Sequence, residues 1–334
     1  MNLLTHSRLQ CYRRCPREHH YRYVQLRRPA AAAPALRFGT LVHAGLEAWW
    51  HAVENHTTHR QCAFADALDA AASRLGCDAY ELARAQALLC GYETLYGGRG
   101  WQAIHVEHQF RAPLPCQPGP LDGPWSTARG ADLRGWMLAG KLDVLARTPT
   151  GEVVVVEHKT SSMPLDPGGP YWQRLRLDGQ ISLYLEGARA LGYEPTCVVY
   201  DVLGTADLEP LRATPVEARR YTKTGALYAR QRDADESLEA YRARLVDVIC
   251  AAPERYYARA EVVRLAHEAE QHRRELRQWA ERIVSDTEAP KNPDACYRYG
   301  RMCEFAGVCE GSASLDGPDF VRLETPYPEL EETP

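Results

Sequence analysis

The sequence predicts an α/β domain in which helices come first and a short sheet follows, and three observations carry that expectation. The first hundred residues are helix-forming, with apolar residues at helical spacing. Short β-branched runs begin only after Trp101, and a further helical stretch separates the last two of them. At 334 residues the chain has ample length for a sizeable core.

In chain order, residues 7–27 read as a helix. The stretch 38–54, FGTLVHAGLEAWWHAVE, spaces Leu41, Leu46, Trp49, Trp50 and Val53 along one helical face. Residues 62–96 are rich in Ala and Leu and read as two more helices. AIHVEHQF, WMLAGKLDVLAR and EVVVVEHKT read as strands, the first two separated by a Pro/Gly-rich loop or flexible excursion over 113–130. TPTG at 148–151 is turn chemistry, so 136–147 and 152–160 form a hairpin. A helix around 172–191, the strand TCVVYDVL at 196–203 and two long charged helices (about 232–250 and 261–285) lead to a cysteine-bearing segment. Residues 1–312 therefore read as one domain: mainly helical over 1–100, sheet and helix over 101–205, helices and cysteines over 206–312. From Asp316 on, six acids stand against one arginine among several prolines, so 313–334 reads as a loose acidic tail.

Net charge is −4, so the chain as a whole is no polycation. From Ser7 to Arg37, however, eight arginines face a single acid, Glu18, and Tyr12, Tyr21 and Tyr23 lie among them. Such a stretch suits a nucleic-acid backbone and its bases, or simply a solvated arginine-rich helix. No apolar run approaches the roughly 20 residues of a bilayer span, and MNLLTHSRLQ lacks an apolar secretory core. The expected compartment is the cytoplasm, with no membrane partner, where thiols stay reduced. The eleven cysteines then call for core packing or a metal rather than disulfides. There is no GxxxxGK[ST] loop, which excludes a nucleotide-hydrolysing P-loop.

The strand VVVVEHKT, 153–160, runs from four valines straight into three polar residues. Alternation puts Val153, Val155, Glu157 and Lys159 on one face and Val154, Val156 and His158 on the other. An acid and a lysine on a strand this apolar must pair with each other or hold a metal. Asp143, fourteen residues before Glu157, is brought beside it by the hairpin. Two converging carboxylates suit a hard cation such as Mg²⁺ or Mn²⁺, and an adjacent lysine suits a water or a phosphate. A structural Glu–Lys pair is the plainer reading of the same residues. His43 taken alone is a core histidine, Glu107 in HVEHQF either supports the site from the strand before the hairpin or, more plainly, is a surface residue, and Gln180 and Tyr184 are two helix residues one turn apart.

Cys296, Cys303 and Cys309 fall within fourteen residues, CYRYGRMCEFAGVC, and need a fourth ligand to complete a site. No C-x₂₋₄-C knuckle is present, which disfavours structural zinc, while a [4Fe–4S] cluster accepts looser spacing. Cys62, Cys77, Cys90, Cys197 and Cys250 read as small core residues, and Cys116 falls in the 113–130 loop.

Asp143 followed by Glu157-His158-Lys159 resembles the D…(D/E)-x-K signature of the PD-(D/E)XK nucleases, with Leu142 where proline is usual. FGTLVHAGLE, GQISLYLEGA and SRLQCYRRCPREHHYRYV are similar, in the same order, to segments of the RecB/AddB-like branch, and the likeness covers roughly residues 5–310. The resemblance implies a restriction-endonuclease-like core, a short mixed sheet flanked by helices, with a helical subdomain stapled by iron and sulfur at the chain ends. It implies a Mg²⁺- or Mn²⁺-dependent deoxyribonuclease in which Asp143, Glu157, the backbone carbonyl of His158 and His43 hold the metal. Lys159 then serves the attacking water and Gln180 orients the site or touches DNA. Cys15, before Pro16, joins Cys296, Cys303 and Cys309 around a [4Fe–4S] cluster, with Cys11 as the alternative ligand. Arg8, Arg13, Arg14, Arg17 and Tyr184 would meet DNA, as single strands or duplex ends. Exonucleolytic cleavage would leave 5′-phosphate ends in recombination, repair, phage DNA processing or CRISPR adaptation, beside a helicase, a recombinase or an adaptation partner. Two other readings remain: a catalytically silent DNA-binding protein of this fold, and a zinc-stapled interaction module.

Overall fold

Helix-forming sequence at the start of the chain is interrupted where its chemistry demands. The structure is a computed structural model describing residues 2–30, 34–57, 59–97, 99–114, 133–298 and 300–330. After strand β1 (Asn2–Leu4), α1 (His6–Arg14) starts at Thr5, whose side chain accepts the Arg8 N–H at 3.1 Å. It stops at Cys15, which is extended at φ −156° and ψ 110°. A residue before proline is pushed out of the helical region, so α2 (Pro16–His19) and a π-helical turn (His20–Val24) start afresh. The single helix expected over 7–27 is thus broken, and Cys15 sits at the corner.

Strand β2 (Arg27–Pro29) precedes three helices, α3 (Pro34–Glu54), α4 (Arg60–Leu75) and α5 (Ala79–Tyr96). Three long strands follow: β3 (Gln102–Pro113), β4 (Trp136–Arg147) and β5 (Val153–Ser161). Cys116 and nearly all of the 113–130 loop lie outside the described residues. The helix expected at 172–191 is two, α6 (Pro170–Leu175) and α7 (Gly179–Ala190), because Asp178 caps the second by accepting the Gln180 N–H. Next come β6 (Val198–Gly204), α8 (Leu238–Ala251), β7 (Tyr257–Val262) and α9 (Ala266–Ser285). The last charged helix begins later than its sequence suggests because the residues before it join the sheet. Short elements close the chain: β8 (Tyr297–Arg298), β9 (Arg301–Met302), α10 (Ala306–Glu310) and β10 (Phe320–Arg322).

The sheet is mixed and flanked by helices. β3 runs antiparallel along almost all of β4. The other side of β4 is shared: β1 pairs with it in parallel at Trp136–Leu138, and β5 antiparallel at Val144–Arg147. Between these two pairings the ladder on that side is open among the described residues, and Asp143 stands at the edge of the gap. β5 continues in parallel to β6, which pairs antiparallel with β7. One sheet face packs Val154, Val156 and Val199 on α3, α4, α5 and α8. The opposite face packs Val155, Tyr200 and Val202 on α6 and α7. α7 comes close because Phe110 wedges between Gly140 and Gly187, where an added Cβ would meet its ring at 2.8 and 2.6 Å.

The chain ends pack together. The Tyr12 hydroxyl donates to Asp286 at 2.9 Å, Arg17 Nε to the Ala289 carbonyl at 2.6 Å, and Asn292 to the Arg14 carbonyl at 2.7 Å. The acidic tail is not loose over its described part. β10 pairs antiparallel with β2, and the buried Tyr327 hydroxyl bonds to the backbone of Leu3 and to Arg8. Acidic composition favours solvation, but Tyr327 and Leu330 bury apolar surface against Leu3 and Ala139, and that decides the matter. Among the described residues no helix is long and apolar enough to cross a membrane.

Candidate active site

Four elements, β5, α7, α3 and β3, converge on the gap beside β4. Alternation along β5 sends Glu157 and Lys159 toward α7, where Lys159 Nζ pairs with Glu157 Oε1 and donates to Gln180 Oε1 at 3.2 Å. Gln180 Nε2 in turn donates to Glu157 Oε1 at 2.9 Å and to the Tyr184 hydroxyl at 2.8 Å. From β4, Asp143 Oδ2 accepts the His158 N–H at 2.8 Å, so a side chain takes the hydrogen bond that the ladder leaves free. From α3, His43 Nδ1 comes to 3.9 Å from Asp143 Oδ2. From β3, Glu107 completes a group in which ligand atoms of His43, Glu107 and Asp143 all lie within 4.8 Å of one another.

Electrostatically this cluster is under-compensated. Burial and the Asp143 carboxylate push Glu157 up to about 8, against the pull of Lys159. Asp143 is raised by burial and by Glu107. Burial, then His158 and Lys159, lower His43 to about 4 and keep its imidazole neutral, the form that ligates metals. Glu157 Oε2 is buried without a hydrogen-bond partner. Burial alone would discharge Lys159, but Glu157 and Asp143 hold it above its ordinary value. Carboxylate oxygens, a neutral imidazole and an orphaned buried oxygen fit a hard divalent cation.

A scan against family models matches residues 3–310 to the PD-(D/E)XK nuclease superfamily. The chain belongs to that superfamily. No curated protein sequence matches it. Among solved structures it is similar to the crystal structure of SSO0001, with 14% identity, 82% of this chain and 84% of that chain covered, and a TM-score of 0.33, too low to bear on function.

Within this nuclease-superfamily frame the structure sorts the residues singled out from sequence. Asp143, Glu157, Lys159, Gln180 and His43 are brought together, and the His158 main chain lies between them. The His158 ring points the other way, 3.4 Å from Asp201. Tyr184 is buried behind Gln180 and does not offer its face to DNA, because α7 turns it toward Phe110. Arg8 is also buried: it donates to the Leu3 carbonyl at 2.9 Å and to His19 Nε2 at 3.1 Å, and lies 4.8 Å over the Trp136 ring. It locks the chain ends and cannot meet a strand. Arg17 is half-buried against Ala289, whereas Arg13 is exposed and Arg14, paired with Glu18, is half-buried.

Glu107 is the residue that sequence reading undervalued. It sits in β3 at φ +48°, a left-handed conformation uncommon for glutamate, and it pairs with Lys141. Its acidic character opposite Asp143 was the available signal; the backbone turn that aims it was not.

The thiols divide similarly. Burial raises Cys296, with Cys15 and Cys309 as its next influences, and Cys303 is raised by burial with Cys296 and Cys15 nearby. Cys11 is 3% exposed, and burial pushes its thiol up to about 12.

Proposed function

We propose that the chain is a Mg²⁺- or Mn²⁺-dependent deoxyribonuclease of the RecB/AddB-like type that digests DNA from its ends and leaves 5′-phosphates. The observation that carries this reading is the group of His43, Glu107 and Asp143, with the raised carboxyl of Glu157 held against a cationic Lys159 nearby. Asp143, Glu157, the His158 carbonyl and His43 would hold the cation, and Glu107 would join them. A cation bound there would supply a more acidic water and offset charge on the phosphate.

The chain's own residues do the rest. Lys159 is protonated, so it acts as a donor that orients the attacking water and meets charge growing on phosphorus oxygens rather than as a base. Gln180 fixes Lys159 and Glu157 by bonding both, and Tyr184 fixes Gln180. End-labelled single- and double-stranded DNA incubated with Mg²⁺ or Mn²⁺ tests the reading. Shortening from one end, with 5′-phosphate products, is expected, and intact DNA with both metals would overturn it.

The same reading makes Cys15, Cys296, Cys303 and Cys309 the ligands of a [4Fe–4S] cluster that staples the chain ends. It is supported by the influence of Cys15 on both Cys296 and Cys303 across the packed chain ends and by the corner that Pro16 forces at Cys15. Cys11, whose buried thiol resists ionisation, is left to the core. Protein purified without oxygen is expected to be brown with about four irons per chain. Cys15→Ala should lose the colour and Cys11→Ala keep it; stoichiometric zinc would replace the assignment.

A further inference from the structure

We propose that a cavity bounded by α1, the start of α7 and β8 is a phosphate-binding pocket for the DNA strand, separate from the metal site; this rests on the nuclease reading above. The cavity has a volume of about 370 Å³, and four arginines line it: Arg13 and Arg14 from α1, Arg174 from α6 and Arg298 from β8. One carboxylate lines it, Asp178, and its Oδ1 is engaged in capping Gln180 at 2.9 Å. Arg14 is paired with Glu18, whereas Arg13 and Arg174 have no carboxylate partner among the described residues, so these two guanidiniums leave the cavity short of negative charge against Asp178 alone.

The donors suit phosphate in particular. Guanidinium forks match its oxygens with paired hydrogen bonds. Arg13 rests 5.1 Å from the Trp279 ring, which braces its stem, and Arg174 has no ion-pair partner among the described residues. The twelve-residue helix α7 begins at the cavity wall with Gly179, its first turn capped by Asp178. His6 adds an independent sign. Its side chain lines the cavity at 13% exposure, and its Nε2 is buried with no hydrogen-bond partner, 3.6 Å from Asp178.

The pocket is coupled to the chemistry through one turn of helix. Asp178 on its wall holds the Gln180 backbone, and the Gln180 side chain bonds Lys159 and Glu157. A phosphate seated among the arginines would be one of the strand whose scissile phosphate lies at Lys159. It is either the terminal 5′-phosphate or an internal one, and both present the same oxygens.

The test uses the full-length protein with fluorescent single-stranded oligonucleotides carrying either a 5′-phosphate or a 5′-hydroxyl. Binding is measured by anisotropy without added divalent metal, over a salt series, and cleavage is measured separately with Mg²⁺. Arg174 and Arg13 are exposed, so Arg174→Gln and Arg13→Gln should fold normally. Arg174→Gln is expected to raise Kd about tenfold and to flatten the slope of log K against log salt by about 0.7, one phosphate contact on a single strand. It should raise KM and leave kcat unchanged. Loss confined to the 5′-phosphorylated strand assigns the terminal phosphate; equal loss on both assigns an internal one. Wild-type Kd and salt slope in both variants on both strands would overturn the pocket. Should the wild-type chain bind but cleave nothing while Arg174→Gln loses binding, the pocket stands and the nuclease reading falls.

Discussion

The two faces of β5 carry buried charge at similar depth, yet they settle it in opposite ways. On the face toward α3 and α5, His158 lies 3.4 Å from Asp201 across the parallel pairing, and Arg259, its partner on β7, donates to Asp201 Oδ2 at 2.8 Å. The Tyr92 hydroxyl donates to the same oxygen at 2.5 Å and accepts from Arg259 at 2.8 Å. Burial would by itself protonate Asp201, but Arg259 and His158 outweigh it and hold the carboxyl well below the usual range. On the face toward α7, the same burial raises Glu157 and Asp143, and Lys159 offsets it only in part. A buried acid with its guanidinium in place is scaffold. A buried acid left short of positive charge is where a cation and a substrate phosphate belong.

Substitutions on the two faces should separate activity from stability. The largest effect is expected at Asp143→Ala, Glu157→Gln and Lys159→Ala, each lowering DNA cleavage by about 10³-fold or more while the fold persists. Calorimetry of Glu157→Gln should show an unchanged or higher Tm, since a repelled carboxylate has been removed. Full cleavage by purified Lys159→Ala would erase the distinction between the faces. Arg259→Ala tests the opposite side: stranding Asp201 without its partner should cost about 3–5 kcal/mol in urea unfolding. A loss below about 1 kcal/mol would show that Tyr92 and His158 suffice.

His43 sharpens the comparison at the boundary between the faces, since it approaches Asp143 while its ring lies edge-on to that of His158 at 6.2 Å. His43→Ala is expected to weaken Mg²⁺-supported cleavage about 10- to 100-fold and Mn²⁺-supported cleavage less. Wild-type rates with both metals would assign His43 to the scaffold. A further test is a pH dependence. Glu157 is raised to about 8 in the folded chain from an ordinary value near 4.5, so the folded state binds the extra proton between them. Its contribution is present at low pH and lost as pH rises through that window. Without divalent metal, the stability advantage of Glu157→Gln over wild type should therefore grow from pH 5 to pH 8. A gap that stays flat across this range would refute the raised carboxyl.

Much of this arrangement was legible because its signals are local. A valine run with period-two polar residues specifies which side chains share a face of β5, and TPTG closes the hairpin that carries Asp143 toward Glu157. The role of Glu107 was not legible, because a left-handed residue inside a strand breaks the alternation by which faces are assigned. Nor could charge alone divide the N-terminal arginines. Arg8 and Arg13 are equally basic, and what separates them is contact with Tyr327 in one case and open solvent over Trp279 in the other.

The sequence by itself determined most element types around the site, the face that Glu157 and Lys159 share, and the hairpin that brings Asp143 toward them. These depend on propensity and periodicity within a dozen residues. Tertiary structure decided which strands flank β4, hence the gap at Asp143, and it decided that β7 brings Arg259 to Asp201 rather than to Glu157. It also docked Tyr327 on Leu3 across 324 positions of chain. Such pairings compare the burial of whole elements against one another, and no local stretch contains both sides of that comparison.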